Sequence, residues 1–197
     1  MKKAVFLDRD GVINEIVYHK EMGILDSPAN ADEIKLFEDV GKALNLLKDL
    51  GFLTVIVSNQ PGIAKNKFDL TGFKKMKEKL RDELQKQGTN IDFEYYCLHH
   101  PYGENPEYTK VCECRKPKPG MLKQAANEHE IDLSESWMIG DGITDIQAGT
   151  AAGCKTILIG RPKCDLCKLM EDEKVKPDFI APNLYKASLI IKKEERR

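Results

Sequence analysis

The chain has 197 residues, 41% hydrophobic and 32% charged, which is enough apolar side chain for a core of ordinary domain size and fits a globular protein in water. A net charge of −1 gives no basic surplus to attract nucleic acid, and no apolar run approaches the roughly 20 residues that span a bilayer. Met1-Lys2-Lys3 leads straight into an apolar run without the apolar core of a secretory signal, so a cytoplasmic location, a single domain over 1–197 and a monomer are expected. In that compartment the six cysteines stay reduced, and metal binding suits them better than disulfides.

The first run, Lys3-Ala4-Val5-Phe6-Leu7, is too short for a typical helix and reads as a buried strand. It ends in Asp8 and Asp10, followed by Gly11. Residues two apart on a strand point the same way. Both carboxylates therefore leave the strand side by side, at the end where open α/β sheets keep their ligand crevice. Such neighbours repel unless a cation or a proton sits between them, and hard oxygen ligands suit Mg²⁺. Taken alone, Asp-Gly is also an ordinary turn.

Residues 11–36 carry few periodic signals. Val40, Leu44, Leu47 and Leu50 then predict a helix stopped by Gly51. The strand predicted at 52–57 ends in Ser58-Asn59-Gln60, whose hydroxyl and amides suit a phosphoryl oxygen. The segment 70–87 has Phe73, Met76, Leu80 and Leu84 on one stripe, the pattern of an amphipathic helix. After a strand at 93–98 comes a stretch to about 118 that is too long for a plain connection and is expected to be functional or stapled. A helix over 119–130 opens at Pro119. A strand at 136–140 delivers Asp141, Gly142 and Asp145, and a helix over 143–152 ends at Gly153. A last strand is read at 154–160, and Lys192–Arg197 as a charged, frayed tail. The alternation of strand and helix predicts an α/β fold with a parallel central sheet covered on both faces.

Asp8-Arg9-Asp10-Gly11-Val12, a strand-end Ser58, Lys116 and Gly140-Asp141-x-x-x-Asp145, in that order, resemble the haloacid dehalogenase (HAD) superfamily of phosphotransferases over about residues 3–160. The resemblance implies a HAD-like Rossmannoid three-layer fold. It implies Asp8 as the nucleophile forming an aspartyl-phosphate and Asp10 as general acid and base. Ser58 and Lys116 would hold the transferring phosphoryl group, with Asn59 and Gln60 beside them. Mg²⁺ would be bound by Asp8, Asp10 through its backbone carbonyl, and Asp141, with Asp145 orienting Lys116 or a metal-bound water. A phosphomonoester dianion approaches a carboxylate only once such cations neutralise it.

Cys97-x-His99 and Cys112-x-Cys114 offer three thiolates and an imidazole, enough for a closed tetrahedral zinc site, with His100 competing with His99. A closed site is structural, and this one would fix the loop leading to Arg115 and Lys116. Cys97-x-His99-His100-Pro101 followed by Cys112-x-Cys114-Arg115-Lys116-Pro117 is similar to the D,D-heptose 1,7-bisphosphate phosphatase family, which implies Zn²⁺ on those four ligands and Arg115 on a substrate phosphate. The expected substrate is a small phosphorylated sugar, D-glycero-D-manno-heptose 1,7-bisphosphate losing its 7-phosphate. Gly142 stands where that family has a lysine, which removes one substrate contact. The segment from Asp10 to Ser58 is too short for a large cap, so the protein is expected to be capless, with substrate choice on an 11–30 flap carrying Tyr18 and His19. Alternatives are a histidinol-phosphate phosphatase and a zinc-stapled binding module without catalysis; intact Asp8, Asp10, Lys116 and Asp141 speak against the second. Cys164-x-x-Cys167 reads as a loop, and Cys154 as core.

Overall fold

The structure, a computed structural model, describes residues 1–20, 23–160 and 174–196. The Cys164 and Cys167 pair lies outside these residues. Strand β1 (Lys3–Leu7) is followed by a short antiparallel hairpin, β2 (Val17–His19) and β3 (Ile24–Asp26), which stands apart from the main sheet. Then come α1 (Val40–Asp49), β4 (Phe52–Asn59), α2 (Leu70–Lys86), β5 (Phe93–Cys97), α3 (Gly120–His129), β6 (Trp137–Gly140), α4 (Ile143–Ala152), β7 (Lys155–Ile159), β8 (Phe179–Ala181) and α5 (Leu184–Glu194). Six strands form one sheet in the order β5-β4-β1-β6-β7-β8, every neighbouring pair parallel.

Buried on both faces, the strands read as continuous apolar runs rather than alternating ones. Along β1, Val5 and Leu7 pack with α1, α2 and α5 through Leu44, Leu47, Met76, Leu80 and Ile191. Ala4 and Phe6 point to the opposite layer, against Met121, Leu122 and Ala125 of α3 and Ala148 of α4. The outer strands β5 and β8 are pinned by the same device. Asp92 accepts hydrogen bonds from the backbone N–H and hydroxyl of Thr54, both at 2.8 Å, and Asp178 does so from Thr156 at 2.6 and 3.0 Å.

Two segments hold more structure than the sequence indicated. The weakly patterned 11–36 segment holds the β2–β3 hairpin and a single 3₁₀ turn at Ala31–Glu33 capped by Asn30. The C-terminal residues expected to fray continue α5 as far as Glu194, a helix capped by Asn183 through the Lys186 N–H at 2.9 Å. A salt bridge from Lys3 to Glu195 ties that end to β1. Cys154 is core, 7% exposed. No helix among the described residues is long and apolar enough to cross a membrane.

The chain leaves β1 for β4 on one side and returns to β6 on the other. The strand order therefore reverses between β1 and β6, and the crevice of an open parallel sheet lies at the carboxyl ends flanking that reversal.

Candidate active site and metal centres

Both strands beside the reversal end in carboxylates. β1 delivers Asp8, whose Oδ1 accepts the Arg9 N–H at 2.7 Å and lies 3.1 Å from Lys116 Nζ, leaving Oδ2 outside these contacts. β6 delivers Asp141, and one oxygen from each of Asp8, Asp141 and Asp145 falls within 4.8 Å of the others. Glycine is required at two points of this approach. Gly11 turns the chain at φ +79°, and a Cβ there would overlap the Asp141 carboxylate; a Cβ on Gly140 would overlap Asp145. Burial, then the charges of Asp8 and Asp145, push the Asp141 carboxyl up to about 7. Three oxygen donors that converge and still repel one another strongly enough to raise Asp141 are a donor set suited to a hard divalent cation such as Mg²⁺.

Lys116 sits beside this cluster, 2% exposed, with Nζ 2.5 Å from Asp145 Oδ1 and donating to the Val57 carbonyl at 2.8 Å. Burial works against its charge, but Asp145 and Asp8 outweigh it and raise the lysine's pKa. Asp145 thus serves Lys116 directly. Its other oxygen accepts the Gly142 N–H at 3.0 Å and starts α4, so the same carboxylate caps the helix and contacts Lys116.

Asn59 and Gln60 differ from expectation. The Asn59 amide is spent on the Lys116 backbone, donating to its carbonyl and accepting its N–H, both at 3.0 Å. The Gln60 amide donates to Asp10 Oδ2 at 2.8 Å and to Ser58 Oγ at 3.1 Å. Both side chains therefore face the protein rather than a ligand. Two residues that the sequence reading passed over join them. Arg9, 0% exposed, forks onto Asp10 through Nε to Oδ1 at 2.8 Å and Nη2 to Oδ2 at 3.1 Å, and buried Asn14 donates to Oδ1 at 2.9 Å. Burial favours the neutral acid, but this donor set, with Arg9 the strongest contributor, holds Asp10 below the usual carboxylate range. The available signal was a cation between two aspartates.

The cysteine cluster assembles as expected. Cys97, Cys112 and Cys114 sulfurs lie 3.2–3.5 Å apart, and His99 Nδ1 is 3.4 Å from Cys114 and 3.8 Å from Cys97. With Zn–S bonds of about 2.3 Å, a tetrahedron has edges of about 3.8 Å, so one Zn²⁺ fits with little movement. Its soft S₃N donors select zinc as clearly as the carboxylates select magnesium. His100 is not among the ligands: its Nδ1 accepts the Tyr102 N–H at 3.1 Å, which settles its competition with His99.

The zinc loop and the hairpin carry the remaining residues expected to meet substrate. Arg115 is anchored by Nη1 to the His99 carbonyl at 3.2 Å. Beyond burial, Arg115 and then Lys65 lower the His100 pKa, so both cations lie in one electrostatic neighbourhood. Tyr18 is 57% exposed on β2, and His19 pairs with Ile24 at the hairpin end. Asp26 of the hairpin is paired with Lys67, fastening the flap to the β4–α2 loop.

A family model described as HAD-hydrolase-like matches residues 113–187. Over 196 residues, 98% of each chain, the protein is 38% identical to the D-glycero-beta-D-manno-heptose-1,7-bisphosphate 7-phosphatase of Pasteurella multocida. It is 36% identical over 193 residues to the Escherichia coli K12 protein of that name, covering 98% of this chain and 95% of the relative. A crystal structure of D,D-heptose 1,7-bisphosphate phosphatase from B. bronchiseptica, complexed with magnesium and phosphate, superposes with a TM-score of 0.79 at 26% identity, covering 98% of this chain and 99% of that one. L-2-haloacid dehalogenase from Xanthobacter autotrophicus shares the fold, at a TM-score of 0.59 and 10% identity, over 98% of this chain and 99% of that one. With identity at this level end to end, the chain belongs to the D-glycero-beta-D-manno-heptose-1,7-bisphosphate 7-phosphatase family of HAD-like hydrolases.

Proposed function

We propose that the protein hydrolyses the 7-phosphate of D-glycero-D-manno-heptose 1,7-bisphosphate through a phosphoryl group carried on Asp8. The observation that carries the chemistry is the buried Lys116 between Asp8 and Asp145, with Asp141 across the crevice. The substrate comes from the family, whose members match over nearly the whole chain.

In this reading Asp8 Oδ2 attacks phosphorus in line with the departing sugar oxygen. The Ser58 hydroxyl and Lys116 hold the equatorial oxygens and offset the charge that develops on them. Asp10, ionised at rest, takes up a proton from solvent before it serves the departing alkoxide, then takes one from the water that attacks the aspartyl-phosphate, returning Asp8 as a carboxylate. The Asp8 and Asp141 carboxylates and the Asp10 carbonyl would hold Mg²⁺, which would supply neutralisation of the phosphate charge. Cys97, His99, Cys112 and Cys114 would hold Zn²⁺ as a structural ion outside the reaction, which would fix the loop from which Arg115 and Lys116 project.

Arg115, with Lys65 nearby, is the cationic mouth for the second phosphate, and Tyr18 and His19 on the flap border the sugar. These features favour a bisphosphate over histidinol phosphate, which has no second anion to meet Arg115. The test is turnover across heptose 1,7-bisphosphate, heptose 7-phosphate and histidinol phosphate, with Asp8→Asn as control. The bisphosphate should give the highest kcat/KM and Asp8→Asn no release; a preference for histidinol phosphate would overturn the substrate assignment.

A further inference from the structure

The Asp10 carboxylate is met by four N–H donors from three side chains on two parts of the chain. Arg9 and Asn14 belong to the turn after β1, whereas Gln60 follows β4. All three are closed off from solvent, at 0%, 0% and 2% exposure. Gln60 is the one that spans the site. Its Nε2 reaches Asp10 Oδ2 at 2.8 Å and Ser58 Oγ at 3.1 Å, and Ser58 is itself 1% exposed.

We propose that Gln60 is a positioning residue that couples the proton carrier Asp10 to the phosphoryl-holding Ser58. The inference rests on the roles given above to those two groups. One amide hydrogen goes to each. A hydroxyl has one hydrogen to give, and Ser58 Oγ is already used as an acceptor by Gln60. Its own hydrogen is thereby directed to another acceptor, and in the loaded site that acceptor is a phosphoryl oxygen. At the other end the amide, with the Arg9 fork and Asn14, fixes the Asp10 rotamer. The leaving oxygen and the equatorial oxygens of one phosphate lie only a few ångströms apart, so donor and holder must be registered to each other. An interaction through one rigid amide does this without a contact to substrate. A misplacement of the proton donor by about 1 Å costs on the order of 100-fold in rate.

Two isosteric variants separate this role from packing. Gln60→Met keeps the volume and removes both donors. Gln60→Glu replaces the donors with acceptors, which draws the Ser58 hydrogen inward and sets a second carboxylate against Asp10. The readout is single-turnover release of the leaving group from a sugar phosphate, whose alkoxide needs a proton, and from 4-nitrophenyl phosphate, whose phenolate does not. In Gln60→Met, release of the sugar should fall about 10- to 100-fold and release of 4-nitrophenol by a clearly smaller factor, since that ester loses the Ser58 registration but needs no proton donor. Gln60→Glu should slow both, because it also removes the Ser58 donor. Equal losses on the two esters in Gln60→Met, or none, would overturn the coupling. The bridge itself is read independently of these variants. Relative to the wild-type protein, the Gln60 side-chain amide resonance should move in both Asp10→Asn and Ser58→Ala; a resonance that ignores either substitution would overturn it. A wild-type enzyme inert toward every ester would instead sink the phosphatase reading while leaving the resonance test standing.

Discussion

The Lys116 ammonium lies 2.5 Å from the Asp145 carboxylate, with both side chains no more than 2% exposed. Removing one partner of such a pair leaves an uncompensated charge in the interior, at a cost of about 3–5 kcal/mol, whereas replacing both with apolar groups is often neutral. Lys116→Met should lower the free energy of unfolding by that amount, and Asp145→Leu by less, because Asp8 still pairs with Lys116. The double variant should recover part of the Lys116→Met loss, Asp8 being left without its lysine, and remain inactive, since the phosphoryl group has lost the Lys116 charge. Denaturant unfolding alongside a phosphate-release assay checks both halves.

Asp141 gives the site a dependence on pH. Its carboxyl titrates at about 7 because burial and the Asp8 and Asp145 charges oppose ionisation. A carboxyl whose pKa rises on folding contributes stability while protonated, and that contribution is lost as pH rises through about 7. Mg²⁺ replaces the proton and restores it. The increase in Tm on adding Mg²⁺ should therefore be larger at pH 8 than at pH 5.5, and Mg²⁺ affinity should fall as pH drops below about 7. An equal Tm increase at both pH values would contradict the assignment.

Elemental analysis of protein prepared without chelator should find about one zinc per chain. Cys112→Ser opens the tetrahedron and should cost more than about 4 kcal/mol, the range associated with loss of a structural metal. For a chain of this length that is roughly 8–16 °C in Tm. Zinc-free protein with an unchanged Tm would refute the structural role.

Arg115 is tethered to the zinc loop through the His99 carbonyl but touches none of the site carboxylates in its described contacts. Arg115→Ala should weaken turnover of the bisphosphate by about one to two decades, as for a lost charge-assisted contact of roughly 1.5–3 kcal/mol. Turnover of 4-nitrophenyl phosphate should change far less. Equal losses on the two substrates would make Arg115 a support of the catalytic centre instead.

The sheet and its carboxylates were legible because a doubly buried strand writes a continuous apolar run; Asp8 and Asp141 each follow one directly, and Asp10 lies two residues beyond Asp8. The zinc ligands were legible from chemistry alone, since reduced cysteines paired with a histidine in a long loop have few other uses. The β2–β3 hairpin was not, because three-residue strands are too short to show a period. The terminal β8–α5 unit carried its signals, an Asn183 cap and Leu184, Ala187 and Ile191 on one side, but its lysines resembled a solvated tail. Of the Arg9, Asn14 and Gln60 cage, only Arg9 between two aspartates and Gln60 after a strand were visible, and neither pointed to Asp10. Polar residues following strands read as turn chemistry, and only folding buries them around one carboxylate.

Phosphorus NMR of the products addresses the central claim most directly, because it reports both reaction and position. Incubated with heptose 1,7-bisphosphate and Mg²⁺, the wild-type protein should convert the 7-phosphate signal to inorganic phosphate while the 1-phosphate signal persists. Asp8→Asn should leave both signals intact. Loss of the 1-phosphate first, or no release from the wild type, would contradict the account.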